Sequence, residues 1–196
     1  MDAIILAGGR SQRMGTDKLE LHRAGRSLLQ QACDAVAPHA QQIVVAGQPR
    51  HISHHQVRFV PEDPPFGGPV AGIAAALEAI PHDDQVIVIA GDLVRPEAAV
   101  ARLLRAADAL EEADGVVLAD QDGRAQYLTA LYRTAALRLA IGDQRQVRDL
   151  SVRGRLSALR CVLLAAEDEI IDDVDTPDKA TALGLAPGAP HNEEQQ

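Results

Sequence analysis

The sequence predicts an α/β domain built on a doubly wound, mostly parallel sheet with helices on both faces. Three observations carry that reading. Short β-branched runs alternate with longer segments rich in alanine and leucine. Two of the runs, Ile43-Val44-Val45-Ala46 and Val86-Ile87-Val88-Ile89-Ala90, are continuously apolar, as strands covered on both faces must be. Pro69 and Pro96 each stand at the head of a helical segment, where a missing N–H costs nothing.

The elements follow in order. Residues 3–6 form the first strand, and Leu28, Leu29, Ala32, Cys33 and Val36 repeat at helical spacing after it. Strands are expected at 42–46 and 57–60, then a helix over 70–80, a strand at 86–90 and a helix over 97–113. Further strands are expected at 115–119, 128–132 and 161–164. Thr176-Pro177-Asp178 supplies an N-cap, a first-turn proline and a first-turn acid for a last helix that Gly184 ends. Residues 1–184 are therefore read as one domain, and the proline- and glycine-containing polar stretch 185–196 as a disordered tail.

Composition narrows the function. The 196 residues carry a net charge of −9, and Phe59, Phe66, Tyr127 and Tyr132 are the whole aromatic complement. A nucleic-acid platform would want stacking rings beside cations, and an anionic membrane surface would repel the chain, so neither partner is expected. No run of about 18 apolar residues occurs and the first residues enter a strand directly, so a cytoplasmic location is expected. Cys33 and Cys161 have no metal-ligand or disulfide spacing and read as free thiols. His51-Ile52-Ser53-His54-His55 lacks accompanying acids or cysteines and reads as a surface loop rather than a metal site. Tyr127 and Tyr132 flank an apolar strand and read as core residues with their hydroxyls at its rim.

Cations gather where an anion would need them. The first strand runs into Ala7-Gly8-Gly9, whose small residues let backbone N–H groups approach a ligand closely. Arg10, Arg13, Lys18, Arg23 and Arg26 follow, and Lys18 is one of only two lysines in the chain. This is a phosphate-binding loop, although not of the two commonest kinds. A P-loop needs G-x-x-x-x-G-K-[ST], whereas Gly15 is followed by Thr16-Asp17-Lys18. A dinucleotide fingerprint needs G-x-G-x-x-G, whereas Gly8 and Gly9 are adjacent. Gly9-Arg10-Ser11-Gln12-Arg13 also lacks the last glycine of a nucleophile elbow.

The pattern L-A-G-G-x-S-x-R-M-G-x-D-K, from Leu6 to Lys18, resembles the nucleotidyltransferases, and among them the molybdenum cofactor guanylyltransferases. Pro61-Glu62-Asp63, Gly68-Pro69-Val70-Ala71-Gly72, Gly91-Asp92 and Asp173-Val174-Asp175-Thr176-Pro177-Asp178 continue the resemblance over residues 1–184. It implies a Rossmann-like fold of the nucleotide-diphospho-sugar transferase type and a transfer of GMP from GTP to the terminal phosphate of molybdopterin. The finished cofactor would then pass to accepting enzymes through transient contacts.

The resemblance places nucleotide binding on Leu6, Ala7, Gly8, Gly9, Lys18, Asp63 and Asp92, and Mg²⁺ on Asp92. Such chemistry asks for in-line placement and charge neutralisation rather than a protein nucleophile. Arg13 would meet the β/γ portion of the triphosphate and Lys18 the α-phosphate, while a hard carboxylate at Asp92 suits Mg²⁺. Of the acids in Asp173-Val174-Asp175, one is expected to face the cleft; Asp175 is the candidate second metal ligand or acceptor-side residue, and Asp172 a solvated charge.

Two departures from the pattern stand out. Ala46-Gly47 replaces an asparagine at the end of the second strand, and Gly91-Asp92-Leu93-Val94 replaces Cys-Asp-x-Pro. Two other readings stay open: a sibling enzyme using CTP or acting on a sugar or isoprenoid phosphate, and a non-catalytic nucleotide-binding module.

Overall fold

The computed structural model describes residues 1–8, 17–62, 67–80, 84–142, 147, 150–174 and 176–188. A seven-stranded sheet forms its centre, built from β1 (Asp2–Leu6), β4 (Ile43–Ala46), β5 (Val57–Val60), β6 (Gln85–Ala90), β7 (Gly115–Ala119), β8 (Ala125–Arg133) and β9 (Cys161–Ala165). Their order across the sheet is β5-β4-β1-β6-β8-β7-β9. Neighbours run parallel except where β8 lies antiparallel between β6 and β7. A small second sheet joins β2 (Leu21–Arg23), β3 (Arg26–Ser27) and β10 (Ala186–Pro187).

Alternation along the strands explains why they read as unbroken apolar runs. Ala3, Ile5, Ile43, Val45, Ile87 and Ile89 point to the face covered by α1 (Leu28–Val36) and α3 (Pro96–Arg105). Ile4, Val44, Val86 and Val88 point the other way, under α2 (Pro69–Ala79) and α4 (Thr134–Ile141). Both faces are therefore dry. α2 is apolar nearly all round for the same reason: its residues 70–77 are all buried.

Local signals set the helix starts. Ser27 caps α1 through its side chain onto Gln30 N–H, Pro69 and Pro96 occupy first-turn positions of α2 and α3, and Thr176 caps α7 (Pro177–Ala182) onto Lys179 N–H. α3 ends at Arg105, and a 3-10 turn over Ala107–Glu111 completes the segment expected as one long helix. Two further short helices, α5 (Val152–Leu156) and α6 (Asp168–Ile171), flank β9.

The C-terminal segment is more ordered at its start than its composition suggests. Leu185 is buried with Leu21, Leu28, Val94, Val174 and Ala180, and Ala186–Pro187 pair with β2. Residues 189–196 lie outside the described residues. Tyr132 is fully buried rather than at a rim, and its hydroxyl donates to Tyr127 C=O at 2.9 Å. Among the described residues no helix is long and apolar enough to cross a membrane.

Candidate active site at the strand switch point

The chain leaves β1 toward β4 and β5 and later returns to β6 on the other side of β1. That reversal opens a crevice at the carboxyl ends of the strands, where doubly wound folds place their ligands. Register brings the strand ends level: Leu6 is opposite Ala46 on one side and Ala90 on the other. The ladder then continues past the strands. Ala7 N–H donates to Ala46 C=O, Gly91 N–H to Leu6 C=O and Gly47 N–H to Val60 C=O, each at 2.9 Å. Ala7-Gly8, Gly47, Glu62 and Gly91-Asp92 are thereby held at one edge.

Two glycines are required by close approach. A Cβ on Gly47 would lie 2.7 Å from the carbonyl oxygen of Ala7, and one on Gly91 would lie 3.1 Å from that of Leu6. Gly47 thus lets the end of β4 lie directly against the first loop, which accounts for a glycine following Ala46.

Asp92 follows β6 by two residues and is 6% exposed. Its carboxylate forms an ion pair with the Lys18 ammonium. Asp92 is not the cap of α3, a position that Arg95 holds. Lys18 opens a 3-10 turn, Lys18–Glu20, that is fixed on both sides. Leu19 anchors it in the core, 4% exposed, against the backbone of Gly91. Asp17 caps it by accepting from Leu19 N–H at 3.1 Å. Arg50 then grips Asp17 Oδ2 through Nε at 3.2 Å and Nη2 at 2.8 Å, and reaches Glu20 at 3.5 Å. Arg50 escaped the sequence reading because its partner lies 33 positions away.

Glu62 was also missed as a site residue. Its carboxylate leans over Gly8: a Cβ there would lie 2.8 Å from Glu62 Cδ and nearer still to Oε1. The signal available was an acid two residues past β5, opposite a loop with a bare backbone. Gly72 of α2 shares this corner, bounded by Leu6 and Ala46.

Of the expected site residues, the structure brings Leu6, Ala7, Gly8, Lys18 and Asp92 to one edge. Gly9, Arg13, Asp63 and Asp175 lie outside the described residues. Asp173 is placed near Asp92 by a bridge between Leu93 and Asp173, reinforced by Val94 N–H donating to Asp172 C=O at 3.1 Å. Residues two apart in extended chain share a face, so the spacing of Asp173 and Asp175 by itself selects neither. Asp172 is not simply solvated: its carboxylate pairs with Lys179 at 3.1 Å. Outside the crevice, residues 51–55 form an exposed to half-buried loop, as expected, from which His54 bonds Asp34 at 2.7 Å.

The donor set suits a hard divalent cation. Mg²⁺ commonly takes one or two carboxylates and fills its remaining sites with water and phosphate oxygens. Asp92 is one such carboxylate, already facing a positive charge. Among the described residues there is no group of three or more His, Cys, Asp or Glu that could hold a metal.

Fold and crevice together define a doubly wound α/β domain with an open edge at its switch point. Comparison with known proteins identifies it further: residues 3–168 match the MobA-like NTP transferase domain, and the chain belongs to that family of nucleotidyltransferases. A molybdenum cofactor guanylyltransferase from Rhizobium johnstonii is 29% identical over 188 residues, covering 89% of this chain and 87% of that protein. The molybdopterin-guanine dinucleotide biosynthesis protein A of Archaeoglobus fulgidus shares the fold with a TM-score of 0.69 at 21% identity, covering 93% of this chain and 96% of the other. A Mycobacterium tuberculosis protein crystallised with manganese shares it with a TM-score of 0.64 at 21% identity, covering 93% and 96%.

Proposed function

We propose that this chain transfers GMP from GTP to the terminal phosphate of molybdopterin in a Mg²⁺-dependent reaction that releases pyrophosphate. The Lys18–Asp92 ion pair at the switch point carries the reading. A nucleotidyl transfer needs a cation at the α-phosphate and a carboxylate for the metal, and these two side chains supply both at adjacent positions. The guanylyltransferase relatives support GTP and molybdopterin as substrates.

The reaction is a displacement at the α-phosphorus. A terminal phosphate oxygen of the acceptor forms the new P–O bond while the bond to the β-phosphate oxygen breaks, and pyrophosphate leaves with the electron pair. Lys18 stabilises the charge that gathers on the α-phosphoryl oxygens, a donor role worth on the order of 10²–10³ in rate. Backbone amides of the first loop hold the triphosphate, with Arg13 on its β/γ portion. Asp92 would hold Mg²⁺, which when bound neutralises phosphate charge and orients the leaving group. In this reading Lys18 takes a phosphate as its partner on nucleotide binding, and Asp92 would hold the cation. Gly9 and Asp63 complete the nucleotide contacts in this reading, and Asp175 is the candidate second metal ligand.

Thermal denaturation with GTP, CTP, ATP and UTP in Mg²⁺ tests this reading. GTP is expected to raise the melting temperature most. Stabilisation by CTP alone would replace the guanine assignment with a cytidylyltransferase, and binding of GTP without pyrophosphate release would leave a binding module.

A further inference from the structure

We infer that the outer edge of β9 is a docking surface for a second copy of this chain, joined strand to strand about a two-fold axis at Leu163. β9 stands last in the sheet, paired with β7 on one side and with no described strand on the other. The ladder shows which backbone groups that edge presents. Arg160 C=O accepts from Asp114 N–H, and Ala166 N–H donates to Ala119 C=O, each at 2.8 Å. Amides alternate sides along a strand, so Val162 and Leu164 also turn theirs toward β7, and Cys161, Leu163 and Ala165 turn theirs outward. Arg102 agrees with this, since its Nη2 donates to Ala165 C=O from outside the ladder. That carbonyl keeps a second lone pair for another donor.

An edge of this kind is a template for a further strand, which single-chain proteins blunt with lysine, proline, inward charge or a bulge. The run Cys161-Val162-Leu163-Leu164-Ala165-Ala166 carries no charge and no proline, and its pairing with β7 is regular. Val162 is 39% and Leu163 49% exposed, and as neighbours in a strand they lie on opposite faces. A partner packed on one face of the sheet would cover only one of them. A strand that continues the sheet covers both.

The sequence of β9 selects a second copy as that strand. Antiparallel pairing centred on Leu163 sets Leu163 against its own counterpart, Cys161 against Ala165 and Val162 against Leu164. Every outward amide then meets an outward amide, and every cross-strand pair is apolar. A slip of one residue sets outward amides against inward ones. A slip of two sets Ala165 or Cys161 against a residue outside β9. Charge favours the same direction. Arg160 precedes the strand and Glu167-Asp168-Glu169 follow it, so antiparallel pairing brings each copy's cation toward the other's acids. β7 and β8 separate this edge from β6, so the pairing leaves the Lys18–Asp92 crevice open.

Sedimentation equilibrium over a range of concentrations tests the inference on the unaltered chain and on Leu163→Lys. An ionic strength of about 0.15 M screens the repulsion between two acidic chains beyond about 8 Å. The unaltered protein should form a two-chain species that dissociates on dilution. Leu163→Lys should remain a single chain at every concentration with an unchanged circular dichroism spectrum, because it sets like charges face to face across the axis. Cysteine substitutions in a Cys161→Ser background read the register. Counterparts at Leu163 would have Cα atoms about 5.5 Å apart, within the disulfide range of about 4.4–6.8 Å, so Leu163→Cys should link two chains on mild oxidation. Val162→Cys should not, since its counterpart is displaced two residues along the strand. A single chain at all concentrations would overturn the inference. So would a Leu163→Lys variant that associates as the unaltered protein does, or linkage at Val162 in preference to Leu163. Sedimentation of the unaltered protein and the two cysteine variants decide the matter should Leu163→Lys not fold.

Discussion

The Lys18 ammonium pairs with the Asp92 carboxylate across the ends of β1 and β6, joining residues that lie 74 positions apart in sequence to form one site. One partner comes from the loop after the first strand and the other from the end of the fourth parallel strand in chain order. Asp92→Asn keeps the shape but removes the charge that would hold Mg²⁺. It should abolish divalent-dependent turnover while leaving the circular dichroism spectrum unchanged, and unaltered turnover would refute the metal role. Lys18→Ala should lower the turnover number by about 10²–10³, the cost of losing one transition-state donor.

Arg50 touches neither crevice partner directly, yet it holds Asp17 and Glu20 on either side of Lys18. It is a positioning residue. Arg50→Ala should reduce kcat by about tenfold to a hundredfold, the scale of a misplacement near 1 Å, with a smaller effect on GTP affinity. Arg50→Lys should recover only part of that loss, because a single ammonium cannot reproduce the planar fork on Asp17. Steady-state kinetics separates the two parameters; an equal loss in affinity and turnover would point to general destabilisation instead.

Gly47→Ala should disturb the first loop from a neighbouring strand. Its Cβ would sit 2.7 Å from the Ala7 oxygen and 2.9 Å from the Ala7 carbonyl carbon, and backbone yields less readily than a side-chain tip. We expect a loss of about 1–3 kcal/mol in stability, as for overpacking elsewhere, together with weaker nucleotide binding. Urea denaturation and nucleotide titration check both parts, and wild-type values for both would contradict the proposed close contact.

Much of this was legible because local and global signals agree. The apolar runs of β4 and β6 are continuous because α1, α2 and α3 cover both faces, and the first-turn prolines mark α2 and α3 correctly. The hairpin of β2 and β3 was not legible. Its strands have three and two residues, and its turn uses Ala24 at φ 52° before Gly25 at φ 78°, without the usual Asn-Gly signal. α4 begins directly after β8 with no side-chain cap, so nothing in the sequence separates strand from helix there. Lys18 and Asp92 could be picked out by residue type and position after a strand. Arg50 could not, because its partner Asp17 lies 33 positions away in the chain.

Acid should unfold the protein partly through Asp34. Burial pushes its carboxyl upward, but hydrogen bonds from Gln30, His54 and Arg26, with the Arg26 charge, outweigh it and leave the pKa below its ordinary value. A carboxyl lowered on folding contributes stability above its unfolded pKa, about 3.9, and loses it as pH falls through the folded value. Urea midpoints measured from neutral to strongly acid pH should therefore fall less steeply below pH of about 4 in Asp34→Asn than in the unaltered protein. Identical slopes would remove Asp34 from the acid response.

Both thiols should resist modification in the folded state. Burial, helped by the nearby Asp34 charge, raises Cys33 to about 12, and burial with Asp114 raises Cys161 to about 11. A thiol reagent at slightly alkaline pH should react slowly with the native chain and rapidly with both residues in guanidinium. Fast labelling of the native protein at Cys33 would contradict the packing of α1.

Transfer of GMP by the first loop and Asp92 is read out by product analysis. The chain is incubated with GTP, Mg²⁺ and molybdopterin, and the products are resolved by mass spectrometry alongside a pyrophosphate assay. Molybdopterin bearing one GMP through a new diphosphate bond is the expected product, with one pyrophosphate released per adduct and neither product formed by Asp92→Asn. Pyrophosphate-free binding of GTP, or an adduct formed only from another nucleotide, would contradict it.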